Sequence, residues 1–179
     1  MRKLKGYEIQ NSIEEKCWKL SSYILSEYDF RGLAHPANEY WCIFENKFKE
    51  SFETIFFKEL IELVGLLRAI LDSEPVTVEN EVYGVDNSFG ILKKETGETL
   101  KLTYREACNK IIHAISYEIK FNYSEYHPLD NNKNGYGETE IIEFKNPKII
   151  TQGSFNGKQW NAEIDFLKFI DQTMNLPIQ

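Results

Sequence analysis

The sequence predicts an α+β protein, with long amphipathic N-terminal helices packed against a C-terminal half of β-hairpins and two further helices. Three observations carry that expectation. Apolar residues recur every three or four positions in two long runs before residue 72, the pattern of helices that bury one face. Short β-prone runs flank Thr96-Gly97 and Asn156-Gly157, dipeptides suited to hairpin turns. Hydrophobic residues make up 42% of the 179 and aromatics 14%, which supplies a core and argues against a disordered chain.

Taken in order, Ser12-Ile13-Glu14-Glu15 reads as a capping box, and Ile13, Cys17, Leu20, Ile24 and Tyr28 continue a helix to about Tyr28. Gly32 and His35-Pro36 then break the pattern, because a residue before proline resists helical geometry. From Asn38 to Leu71 a stripe of Phe44, Phe48, Phe52, Ile55, Phe56, Leu60, Leu63, Leu67 and Ile70 predicts a second helix. Unbroken, it would span about 50 Å, so a bend at Gly65 or near Glu53, or an end projecting into a partner, is expected. After Pro75 the stretch Val76–Val85 is ambiguous, and Gly90–Leu102 reads as a hairpin.

Thr103-Tyr104-Arg105-Glu106 is a second capping box and opens a third helix, expected to reach about Tyr117. Residues 128–138 form a polar loop. Ile141–Phe144 and Lys148–Ser154 read as strands, Asn156-Gly157 as a tight turn and Lys158–Ala162 as the returning strand. Ile164, Leu167, Ile170 and Met174 predict a last helix before Pro177. The whole is expected to be a single domain over residues 1–179, helical over 8–72 and mixed over 76–176.

Charge and composition narrow the function. A net charge of -7 opposes nucleic-acid binding, which is built largely from Lys and Arg contacts to phosphates. The basic start Met1-Arg2-Lys3-Leu4-Lys5 has no apolar run behind it, unlike a secretory signal. No run approaches the roughly 18 apolar residues of a membrane span, so a cytoplasmic protein is expected. Cys17, Cys42 and Cys108 are odd in number and widely spaced, which points to core filling rather than to disulfides or zinc. Asp130–Glu138 partly matches a calcium loop, but Ile141 stands where a bidentate Glu belongs. A solvated, turn-rich loop is expected there. His35 and His127 precede prolines, and no spacing joins them with His113 into a metal site. No cofactor is implied.

The third helix is where polar residues gather. At 100° per residue, Tyr104, Ala107, Cys108, Ile111, Ala114 and Ile115 form an apolar stripe, flanked by a row of Arg105, Asn109, His113 and Ser116. The segment Arg105-Glu-Ala-Cys-Asn-Lys-Ile-Ile-His113 resembles the signature of HEPN domains through Asn109-x-x-x-His113. The resemblance implies an all-helical module, common in prokaryotic toxins and antiphage systems. In active members of that family, Arg and His meet at a dimer interface and cleave RNA without metal. Here Cys108 occupies the family's Arg position, and Arg105 lies about 12 Å along the helix axis from His113. Side chains lean toward the helix N-terminus, so Arg105 leans away from His113.

The residues alone favour a plainer role. His113 is expected to be a packed or hydrogen-bonded structural residue, and Arg105 to make a surface ion pair. The expected function is then a non-catalytic interaction or regulatory protein acting through helical surfaces. Its expected partner is another protein or a second copy, as a homodimer. The alternative is a HEPN-like ribonuclease, toxin or antiphage component using His113 and Arg105, with RNA as substrate.

Overall fold

The architecture follows from a computed structural model, which describes residues 6–33, 41–73, 88–126 and 142–176. The elements run α1 (Gly6–Leu33), α2 (Trp41–Ser73), β1 (Gly90–Lys94), β2 (Thr99–Lys101), α3 (Tyr104–Ile112), β3 (Ser116–Tyr126), β4 (Ile142–Phe155), β5 (Lys158–Asp165) and α4 (Phe166–Met174). The α+β class expected from the sequence is the one observed.

α1 and α2 are long because each has a core to cover. Ile13, Cys17, Leu20 and Ile24 are buried along α1, and Phe52, Phe56, Leu60, Leu63 and Leu67 along α2, as their spacing predicts. Phe57, Val64 and Leu71 are also buried, while Ile55 is 44% exposed, so the buried stripe of α2 is broader and set to one side of the expected line. α2 is one helix of 33 residues, running through Gly65 and Glu53 without interruption. Lys16 ties it to α1 through Glu59 at 3.0 Å and Glu62 at 2.6 Å. Burial pulls the Lys16 pKa down, but the hydrogen bonds its ammonium donates to Glu62 and Glu59 outweigh it, together with their negative charge, and the net shift is upward.

Ser12 does not cap α1. The helix starts at Gly6, because Ile9, one turn before Ile13, also packs on the core and holds the preceding turn helical. The second capping box forms as expected. The Glu106 backbone N–H donates to the Thr103 hydroxyl, and the Thr103 N–H donates to the Glu106 carboxylate at 2.9 Å.

The five strands form an antiparallel sheet in the order β2-β1-β5-β4-β3. Asn156 (φ 51°) and Gly157 (φ 76°) turn β4 into β5, the left-handed pair that a two-residue hairpin requires. β4 is continuous from Ile142 to Phe155 rather than two strands. Pro147 lies beyond the last β4–β5 pair, Lys148 with Asp165, where the strand has lost that neighbour and proline is tolerated.

Two helix boundaries differ from expectation. α3 stops at Ile112, not near Tyr117, because Ser116 begins eleven consecutive pairs between β3 and β4. The alternation Tyr117, Ile119, Phe121 carries that strand. Ile164 belongs to β5 and not to α4, since it pairs with Gly90 and Ile149 and is fully buried. α4 begins at Phe166, capped by Asp165, whose carboxylate accepts the Lys168 N–H at 3.2 Å. Its core residues are Phe166, Phe169, Ile170 and Thr173, while Leu167 is 37% exposed.

One face of the sheet meets the helices. Trp160, Ala162 and Ile164 of β5, Leu92 of β1 and Ile149 of β4 lie there, alternating with polar residues of the other face such as Asn161 and Glu163. Aromatic contacts join the layers: Phe56 with Phe166 at 5.6 Å, Phe57 with Tyr117 at 4.9 Å, and Tyr104 stacked on Phe169 at 5.1 Å. The Tyr104 hydroxyl shares a 2.7 Å hydrogen bond with Thr173, which satisfies both buried groups. One hydrophobic cluster takes residues from α1 and α2 and from the mixed half alike.

Val76–Val85, the 128–138 loop with its partial calcium match, His35, His127 and Tyr28 with the side chains of Cys42, Phe44 and Phe48 lie outside what is described at that level.

Candidate functional site

α3 separates the residues that its sequence places in one row. Arg105, in the first turn, reaches across to the C-terminal end of α2. Its Nη2 donates to the Leu71 carbonyl and its Nη1 to Asp72 Oδ1 at 3.0 Å. Arg68 holds the other carboxylate oxygen of Asp72 at 3.1 Å. A cation on the last carbonyls of a helix satisfies an acceptor and opposes the negative end of the helix dipole. Arg105 is thus a tertiary cap for α2, and Asp72 is shared by two arginines.

Asn109 is half-buried, and its backbone carbonyl accepts the His113 N–H at 3.0 Å. His113 is the C-cap of α3, with an exposed side chain and no hydrogen bond from it among the described residues. The packed, hydrogen-bonded His113 expected from the sequence is not found there. Ser116 has left the row altogether and pairs with Gln152 in the sheet, and Ile115 is 75% exposed because the helix ends before it. Cys108 is fully buried, and burial pushes its thiol up to about 12 against the opposing pull of Arg68 and Arg105. Such a thiol is inert as a nucleophile near neutral pH. Cys17 is likewise buried and pushed up to about 12 by burial and by Glu14.

A second arrangement, not anticipated from the sequence, lies where the two hairpins meet α3. A cavity of about 450 Å³ opens there. The β1–β2 turn contributes Lys94, Glu95, Thr96 and Glu98, and the β4–β5 turn contributes Phe155, Lys158 and Gln159. Leu92, Trp160 and Lys110 of α3 complete the lining. Trp160 is buried, and its ring lies against Gly153, its cross-strand partner. A Cβ at Gly153 would meet the ring at 2.3 Å, so the residue must be glycine for the indole to lie there. The Lys110 ammonium sits 4.2 Å from the Trp160 ring centroid, within cation–π range, and burial lowers its pKa.

The turns hold the cavity's shape. Glu95 exchanges two bonds with Gln159: its N–H donates to the Gln159 carbonyl, and its carboxylate accepts the Gln159 N–H, both at 3.1 Å. Lys94 pairs with Glu98 at 2.9 Å. The sequence carries part of this signal. Period-two spacing puts Leu92 and Lys94 on one side of β1, and Lys158 and Trp160 on one side of β5. The register that sets Lys94 opposite Trp160 and the approach of Lys110 are tertiary.

Among the described residues, no group of three or more His, Cys, Asp and Glu side chains is placed to hold a metal ion. None of the described helices is long and apolar enough to cross a membrane. Comparison with protein-family models, curated proteins and solved structures gives no match to this chain.

Proposed function

We propose that this chain is a non-catalytic interaction or regulatory protein that pairs with a second copy of itself along the outer flank of α1. The observation carrying this reading is a stripe of Tyr7, Trp18 and Leu25, exposed by 75%, 64% and 75%. At 100° per residue the three lie within about 20° of one another, well off the buried face of Ile13, Cys17, Leu20 and Ile24. The stripe runs about 27 Å along the helix. Between its apolar residues the same flank carries Asn11, Glu14, Ser21 and Ser22, a charge-poor composition of the kind found at interface cores.

A second copy suits this flank because the stripe is self-complementary. Antiparallel pairing about a two-fold axis near residue 16 sets Tyr7 against Leu25 of the other copy and brings the two Trp18 side chains beside the axis. α2 offers less, since Phe52, Phe56, Leu60, Leu63 and Leu67 are spent on the chain's own core and Ile55 and Ile61 are exposed by only 44% and 39%. A single helix flank is smaller than the ~800 Å² per partner of a standard interface, so dissociation in the micromolar range is expected. Buried free thiols at Cys17 and Cys108 suit a reducing, cytoplasmic setting.

The HEPN-like ribonuclease reading would need Arg105 and His113 together. Arg105's engagement with Leu71 and Asp72 counts against it. Sedimentation equilibrium across micromolar concentrations tests the proposal: a monomer–dimer equilibrium that Leu25→Glu abolishes is expected. A single 21 kDa species at all concentrations refutes self-association. Metal-independent RNA cleavage lost in His113→Ala would establish the ribonuclease instead.

A further inference from the structure

We propose that the cavity between the two hairpins and α3 is a binding site for a small aromatic or similarly apolar molecule bearing one carboxylate or comparable acidic group. Its volume of about 450 Å³ falls in the range of small-molecule sites. The walls divide by chemistry. Leu92, Trp160 and the largely exposed Phe155 are apolar, and lysines from three different elements converge on them.

The sign of the ligand follows from which charges are already used. The Lys94 ammonium is spent on Glu98, and the Glu95 carboxylate on the Gln159 N–H. Lys110 and Lys158 have no carboxylate within ion-pairing distance among the described residues. Lys110 is also partly withdrawn from water over the Trp160 ring. A cation in that position is partly dehydrated, and the carboxylate whose charge reaches it, Glu106, is held by Thr103 in the helix cap rather than ion-paired with it. An anionic ligand would supply a direct counter-charge. A cationic ligand would find no free carboxylate in competition with those two lysines.

The apolar part of the ligand is placed by Trp160. Its indole lies against Gly153 and beneath the Lys110 ammonium, and it forms part of the cavity wall. A flat ring entering there meets the indole and Phe155, while its acid group turns toward Lys110 and Lys158. Aromatic groups favour offset-stacked or edge-to-face contacts with one another. The site is independent of the α1 flank, so its failure would leave the self-association proposal standing.

The test uses 2-naphthoate and its uncharged analogue 2-naphthamide, titrated into the full chain by calorimetry and by following the Trp160 indole N–H resonance. The expected result is naphthoate binding with Kd below about 1 mM, at least tenfold tighter than naphthamide, with movement of the Trp160 signal. Lys110→Met, which keeps a long side chain over the indole, should weaken binding tenfold. Lys158→Met, at an exposed strand end, should weaken it about threefold and leaves the packing of Trp160 untouched. Equal binding of the acid and the amide, a still Trp160 resonance, or no effect of either substitution would each overturn the assignment.

Discussion

Replacing Gly153 by alanine tests the packing on which the cavity rests. The new Cβ would lie 2.3 Å from Trp160 Cζ2, 2.7 Å from Cε2 and 2.9 Å from the His113 carbonyl oxygen. Relieving the first contact to an ordinary separation requires the ring to retreat by about 1 Å, and a close-packed interior allows such shifts only at the expense of neighbouring contacts. Any such shift disturbs the contact with Lys110, whose ammonium stands 4.2 Å from the ring centroid. Overpacking of this kind costs about 1–3 kcal/mol, and loss of the cation–π contact adds roughly 0.5–1. A loss of about 2–3 kcal/mol is expected, or roughly 5–10 °C in Tm for a chain of this length. Urea unfolding followed by circular dichroism gives the number. A double-mutant cycle isolates the cause: in a Trp160→Leu background, the ring atoms are gone and Gly153→Ala should cost at least ~1 kcal/mol less. If Gly153→Ala changes stability by under about 0.5 kcal/mol, or costs the same with and without the indole, the ring does not lie on Gly153 and the account of the cavity is wrong.

Other expectations follow from single side chains. Gly65 is exposed in the middle of α2 with open space where a Cβ would go, so Gly65→Ala should stabilise by about 0.5–1 kcal/mol, read from the shift in urea midpoint. Arg105→Ala removes the cap on Leu71 and the partly exposed pair with Asp72; a loss of about 1 kcal/mol is expected, and an unchanged midpoint would contradict the capping role. His113→Ala removes an exposed side chain and should stay within about 0.5 kcal/mol of the parent in the same assay. Cys17 and Cys108 are buried, with thiols raised to about 12. Neither should react with an aromatic disulfide reagent at pH 8 until urea unfolds the chain, and mass mapping of labelled cysteines would expose any error.

Local chemistry alone determined much of this fold. The 3.6-residue period of Ile13, Cys17, Leu20 and Ile24, and that of Phe56, Leu60, Leu63 and Leu67, marked the buried faces of α1 and α2 because a helix has no other way to gather those residues. Thr103 with Glu106, and Asn156 with Gly157, were legible since capping and tight turns are settled within four residues. Ends and partners were decided elsewhere. The α3 pattern ran on through Ile115 toward Tyr117, and only pairing with β4 made Ser116 the start of a strand. Ser12 looked like a cap until Ile9 gained a core to pack on. The row of Arg105, Asn109 and His113 existed on a helical wheel, but the carbonyls at the end of α2 claimed Arg105 and the end of α3 left His113 as its cap. The cavity required contacts between residues about fifty positions apart, Lys110 with Trp160, and periodicity does not encode which distant surface a side chain will meet. That is fixed when the sheet register and the helix packing are satisfied together, and it belongs to the tertiary structure.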